Sequence, residues 1–190
     1  MDKDAVSRPG RRPKLDNSEL TKTGFWVGQV FMLIATVLGV FLASQEGLSQ
    51  AITFSDLDDQ QKNYYLRRSL HDELADNIKL VRQYADVIKD QSPMHFKRYH
   101  PRLQFYVWES MKYNPNTLQT PSEYIAGVRR YYAELEEIID NGEHMSFSTG
   151  YFLQQLKEKT DAAEQTTLKG LEQNIQGLKG DLQKSGISVE

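Results

Sequence analysis

The stretch that most constrains this chain is Phe25 to Ala43, FWVGQVFMLIATVLGVFLA, nineteen residues without a charge. A helix rises about 1.5 Å per residue, so the run makes about 28 Å, close to the ~30 Å hydrocarbon core of a bilayer. Lys22 and Glu46 bracket it, and Phe25 and Trp26 stand where an interfacial aromatic anchor belongs. No second run approaches that length. The expected organisation is a basic cytoplasmic tail over 1–23, one transmembrane signal-anchor helix over 24–46 and an exported domain over 47–190, long enough to bury a core.

Charge orients the span. Residues 1–23 hold six Lys/Arg against four Asp/Glu, whereas residues 44–190 hold seventeen against twenty-two. After Lys22 the next basic residue is Lys62. That asymmetry puts the N-terminus in the cytoplasm and the larger part outside, which in a bacterium is the periplasm, beyond the inner membrane. A cleaved signal peptide fits less well. Its apolar region is normally about 7–15 residues, and cleavage after Ala43 puts Phe41 where a small residue is wanted.

Within the span, Gly24 and Gly28 are four apart, as are Ala35, Gly39 and Ala43. Small residues at that spacing let helix backbones approach closely, and Gln29 is the one strongly polar side chain. This face is the candidate for packing against a second copy or another membrane subunit. The plain alternative is that small residues are common in spans.

After the span, periodicity points to a mainly α domain, an antiparallel bundle of about four helices. Leu48–Phe54 reads as a connection or a continuation of the membrane helix. Ser55 looks like an N-cap, with Asp56, Asp58 and Asp59 in a first turn. The helix runs to Asp90 on a stripe of Leu66, Leu70, Leu74, Ile78, Val81, Ala85 and Ile88, with Asp72, Glu73, Asp76 and Arg82 among the polar face. Residues 93–113 suit both helix and strand, and a short helix over 101–113 is the reading adopted. Asn114-Pro115-Asn116 is a loop. Thr120-Pro121-Ser122-Glu123 has the form of a capping box opening a helix over 121–141, and Gly142 closes it. The last helix, 148–184, has a coiled-coil-like seam of Leu153, Leu156, Thr160 and Ala163. Leu168, Leu171, Ile175, Leu178 and Leu182 resume it after a slip of phase. Gly170, Gly177 and Gly180 weaken it, and residues 185–190 are expected to fray.

The chemistry-bearing residues are sparse. There is no cysteine, so disulfides, thiolate metal sites and a cysteine nucleophile are excluded. No Asn-X-Ser/Thr acceptor occurs, and His71-Asp72-Glu73-Leu74 is internal, where a retention signal does not act. The four histidines lack metal-ligand spacing; His95 and His100, with Glu109 or Glu143, are the nearest approach. Glycine-rich phosphate loops and nucleophile elbows are missing. The acidic domain argues against nucleic acid. No cofactor, metal, catalytic residue or small-molecule substrate is therefore expected. Arg102, Phe105, Tyr106 and Trp108 form a candidate partner-docking cluster, since aromatics and arginine are enriched at hot spots. The competing reading makes Phe105, Val107 and Trp108 core.

Three functions are compatible with this pattern. The first is a single-pass membrane subunit that binds lipid through its span and partner proteins, or itself, through its helices. The second is an exported ligand-sensing domain signalling through a partner, which it resembles in layout only. The third is an anchored hydrolase, which needs convergent carboxylates about 5–10 Å apart. The first is the expectation.

Overall fold

The computed structural model describes residues 23–189. The basic tail, apart from Thr23, lies outside them, as does Glu190. The described residues are mostly helical and include no strand. The helices are α1 (Thr23–Ile88), α2 (Tyr106–Met111), α3 (Ser122–Glu143), α4 (Thr149–Ala163) and α5 (Lys169–Lys184). Two 3-10 turns, Pro93–Tyr99 and Pro115–Gln119, stand between α1 and α3. A π-helical turn, Glu164–Leu168, joins α4 to α5. The chain divides into two units, Met1–Ile52 and Thr53–Glu190, and the division falls within α1.

In the first unit α1 is exposed along its described length. Every residue from Thr23 to Ile52 is exposed except Phe25, which is partly covered and meets Trp26 edge-on at 6.0 Å. Its apolar window is long enough to cross a membrane, and none of it is buried. Thr36 returns its hydroxyl to the Met32 carbonyl at 2.8 Å, so that polar group is satisfied inside the helix. The expected new start at Ser55 is not seen, because Leu48–Phe54 and Ser55 are all helical. Neither glycine nor proline interrupts 48–62, and Lys62 pairs one turn back with Asp58 at 2.5 Å.

In the second unit α1 turns a strict stripe inward: Asn63, Arg67, Leu70, Leu74, Asn77, Val81, Tyr84 and Ile88, in steps of four and three, are all buried. Leu70, Leu74, Val81, Tyr84 and Ile88 share one core with Val128, Tyr131, Tyr132, Leu135 and Ile138 of α3, Phe152 and Leu156 of α4, and Leu171 of α5. Each fully buried leucine contributes roughly 1.5–3 kcal/mol. A smaller cluster gathers Tyr64, Ile175, Leu182 and Val189.

The phase slip has a physical form. Ala163 and Leu168 are five residues apart, and the π turn between them absorbs the odd residue, so Leu171, Ile175 and Leu182 return to the buried face begun by Phe152, Leu156, Thr160 and Ala163. Leu153 of the expected seam is only half-buried; Phe152 takes the core position beside it. Gly170 is needed here, since a Cβ would come within 2.9 Å of the Tyr124 ring.

Other boundaries move for identifiable reasons. Gly142 does not end α3. It is helical and buried, and an added Cβ would run into the Phe152 ring. The helix instead ends through Met145 at φ 58°, with Ser146 N–H donating to the Asn141 carbonyl at 2.9 Å and Met145 N–H to Gly142 at 3.2 Å. That is a Schellman closure with a non-glycine residue in the left-handed position. The expected capping box does not form either. Thr120 N–H closes the preceding turn on Thr117, and α3 starts without a side-chain cap. The Asn114–Asn116 loop is the start of a 3-10 turn, capped by the Asn114 side chain accepting from Asn116 N–H at 2.9 Å. Residues 185–189 do not fray: Gly186 at φ 82° and the Ile187-to-Leu182 hydrogen bond close α5, and Val189 is buried.

Candidate functional site

The second unit has a groove of about 830 Å³ between α3 and the segment 100–112. Its geometry begins on α1, where the buried stripe includes polar residues. Asn77 is fully buried and treats Gln104 as a neighbouring strand would. Its Oδ1 accepts from Gln104 N–H at 2.8 Å, and its Nδ2 donates to the Gln104 carbonyl at 2.6 Å and to Tyr132 Oη at 2.9 Å. One turn earlier, the buried Glu73 carboxylate accepts from the backbone N–H groups of Val107 at 2.6 Å and Trp108 at 2.9 Å. These are second and third residues of α2, so Glu73 caps that helix from outside.

Those contacts explain why the helix expected from Pro101 begins at Tyr106. Residues 101–105 stay non-helical because Asn77 satisfies Gln104 at both backbone groups. The helix begins where Glu73 receives its first free donors. Glu73, expected on the polar face of α1, is instead an internal acceptor.

On the floor, Phe105 stands edge-on to Tyr132 at 4.9 Å and 90°, and Trp108 does so at 6.0 Å and 71°. Such pairs contribute about 0.5–1.5 kcal/mol each beyond burial. Burial holds the Tyr132 phenol well above its ordinary pKa, with Glu73 adding to the rise. It therefore remains a neutral hydroxyl. At one end the His100 ring meets Glu143 Oε1 at 2.8 Å, and Tyr84 Oη donates to the same oxygen at 3.3 Å. Burial, then Glu143, raises the Tyr84 pKa. On the rim, Arg102, Lys112 and Arg129 stand with Glu109 and Glu136. None of these five makes an ion pair among the described residues.

Of the docking residues, Arg102, Phe105 and Trp108 line the groove, with both rings half-buried against the core. Tyr106 lies outside that lining and is 84% exposed. The span residues Gly24, Gly28, Gln29, Ala35, Gly39 and Ala43 are all exposed, and a Cβ on Gly24, Gly28 or Gly39 would meet nothing within 4 Å. Of the metal candidates only His100 and Glu143 come together, and no group of three His, Asp or Glu among the described residues is placed to hold an ion.

A second polar cluster escaped the sequence reading. Arg67 is buried, with no carboxylate partner among the described residues; it donates to Asn174 Oδ1 at 2.7 Å and to the Gln119 carbonyl at 2.5 Å, while Asn63 donates to the Gln119 side chain. Burial lowers its pKa. The signal was present: steps of four and three leading to Leu70 and Leu74 pass through Asn63, Arg67 and Asn77. No protein-family model, curated protein or solved structure matches the chain.

Proposed function

We propose that this chain is a single-pass membrane subunit that binds partner proteins. Its N-terminus lies in the cytoplasm and its helical domain, an antiparallel bundle with a coiled-coil-like C-terminal helix, lies beyond the membrane, in the periplasm of a bacterium. The observation that carries the reading is the first unit of α1, apolar over a membrane's length with none of its apolar window buried. So much exposed apolar surface calls for lipid, other helices or both. The Gly24/Gly28 and Ala35/Gly39/Ala43 face then packs on a second copy or another subunit. Arg102, Phe105, Tyr106 and Trp108 dock a partner outside the membrane.

Native purification in mild detergent with cross-linking tests this. A co-purifying protein or a homo-oligomer is expected, weakened when Gly28, Ala35 and Gly39 are replaced by leucine. A monomer that captures nothing, or assembly indifferent to the triple change, overturns it. Protease protection in sealed vesicles tests the orientation. A specific observation favours a second reading, an exported ligand-sensing domain that signals through its partner: the groove beside α3 has the size of a ligand site, which about 300–1,000 Å³ usually defines.

A further inference from the structure

We infer that the groove between α3 and residues 100–112 is a binding site for a neutral oligosaccharide. The inference rests on the ligand-sensing reading and names the ligand class.

Two features of the groove select that chemistry. The first is the aromatic floor. Phe105 and Trp108 are braced edge-on against Tyr132, and Tyr132 is held by the Nδ2 of Asn77. The rings are therefore fixed before any ligand arrives, which removes part of the ordering cost of binding. A pyranose presents a face of C–H groups that lies against such rings and hydroxyls around its edge.

The second feature is the rim. Arg102, Lys112 and Arg129 offer donors only, and Glu109 and Glu136 offer acceptors only. The two kinds share one groove without pairing to each other. A strongly anionic ligand meets Glu109, Glu136 and Asp140, the last already paired with His144, and a strongly cationic one meets the three cations, so each is opposed by part of the lining. A sugar hydroxyl both donates and accepts, and a chain of them satisfies both kinds without an opposing charge. Glu143 Oε1 is already engaged by His100 and Tyr84, so that end of the groove is closed by side chains held to one another.

The test uses the full chain in a detergent with no sugar headgroup. The chain has two tryptophans, so Trp26→Phe leaves Trp108 as the only one. Chitohexaose and maltohexaose are titrated while its emission is followed. Saturable binding of at least one is expected, with dissociation constants raised tenfold or more by Arg129→Gln and by Glu136→Gln. Both residues are exposed, so these variants should fold with unchanged circular dichroism. Failure of both sugars to bind overturns the assignment, as does binding by the two variants as tight as that of the parent chain. The same chain is screened by thermal shift with amino acids and dicarboxylates. A shift with these and none with sugars refutes the saccharide alone; no response to any probe refutes the ligand-sensing reading with it.

Discussion

Replacing Asn77 by alanine is the most informative perturbation of the second unit. It removes three hydrogen bonds at once: two to the Gln104 backbone and one to Tyr132. A stranded buried polar group costs about 1–3 kcal/mol. Gln104 is exposed, so water recovers part of its loss, whereas Tyr132 is 7% exposed and has less access to it. The expected destabilisation is therefore about 2–4 kcal/mol. With a urea slope of the order of 2 kcal/mol per molar, the midpoint falls by about 1–2 M. Tyr132→Phe removes only the last of the three bonds and should cost about 1 kcal/mol. In the Asn77→Ala background that bond is already gone, so adding Tyr132→Phe should cost almost nothing. Urea unfolding of the detergent-solubilised chain, followed by circular dichroism, reads all four states of the cycle. A loss below about 1 kcal/mol for Asn77→Ala, or a Tyr132→Phe cost equal in both backgrounds, refutes the network.

Gly142→Ala should destabilise by roughly 1–3 kcal/mol, because the new methyl group meets the Phe152 ring within a packed core; a thermal melt unchanged from wild type contradicts that packing. Met145→Gly, three residues on, should stabilise by about 1 kcal/mol by relieving the left-handed conformation, read as a higher melting temperature. Arg82 donates to Glu164 at 2.9 and 2.6 Å and to Asp161 at 2.9 Å. Lys157 and then Arg82 lower the Asp161 pKa, and Arg82 lowers that of Glu164. Carboxylates lowered on folding stabilise above their unfolded pKa and lose that contribution as pH falls through the folded values. These groups are partly solvated, so Arg82→Ala should cost only about 0.5–1 kcal/mol at pH 7, and less as pH falls through the lowered values of the two carboxylates. A cost that persists in acid makes the role of Arg82 one of packing.

What was legible in the sequence follows the range of the interactions. The stripe Leu70, Leu74, Ile78, Val81 and Ile88 needs only helical periodicity, and all five are buried. The phase slip between Ala163 and Leu168 was visible because a π turn leaves a five-residue gap in an otherwise regular pattern. The end of α3 was misread because the demand on Gly142 comes from Phe152, on another helix. The start of α2 was misread for the same reason, since Glu73 and Asn77 lie about thirty residues upstream. Polar residues on an apolar stripe read as interruptions, although their spacing was that of the core.

Those polar residues also account for the groove. The helices pack through apolar seams, but the 33 residues between Ile88 and Ser122 hold only the six-residue α2 and two 3-10 turns. A segment with so little regular structure must still satisfy its backbone groups, and helices alone do not supply partners. Here α1 supplies them from its buried face: Asn77 to Gln104, Glu73 to Val107 and Trp108, Arg67 to Gln119. Apolar residues at 67, 73 and 77 would gain burial and strand those groups. The wall carrying Phe105 and Trp108 is therefore held by α1 and faces α3, and a space opens between wall and helix where a continuous helix from Pro101 would have offered only one more packed surface.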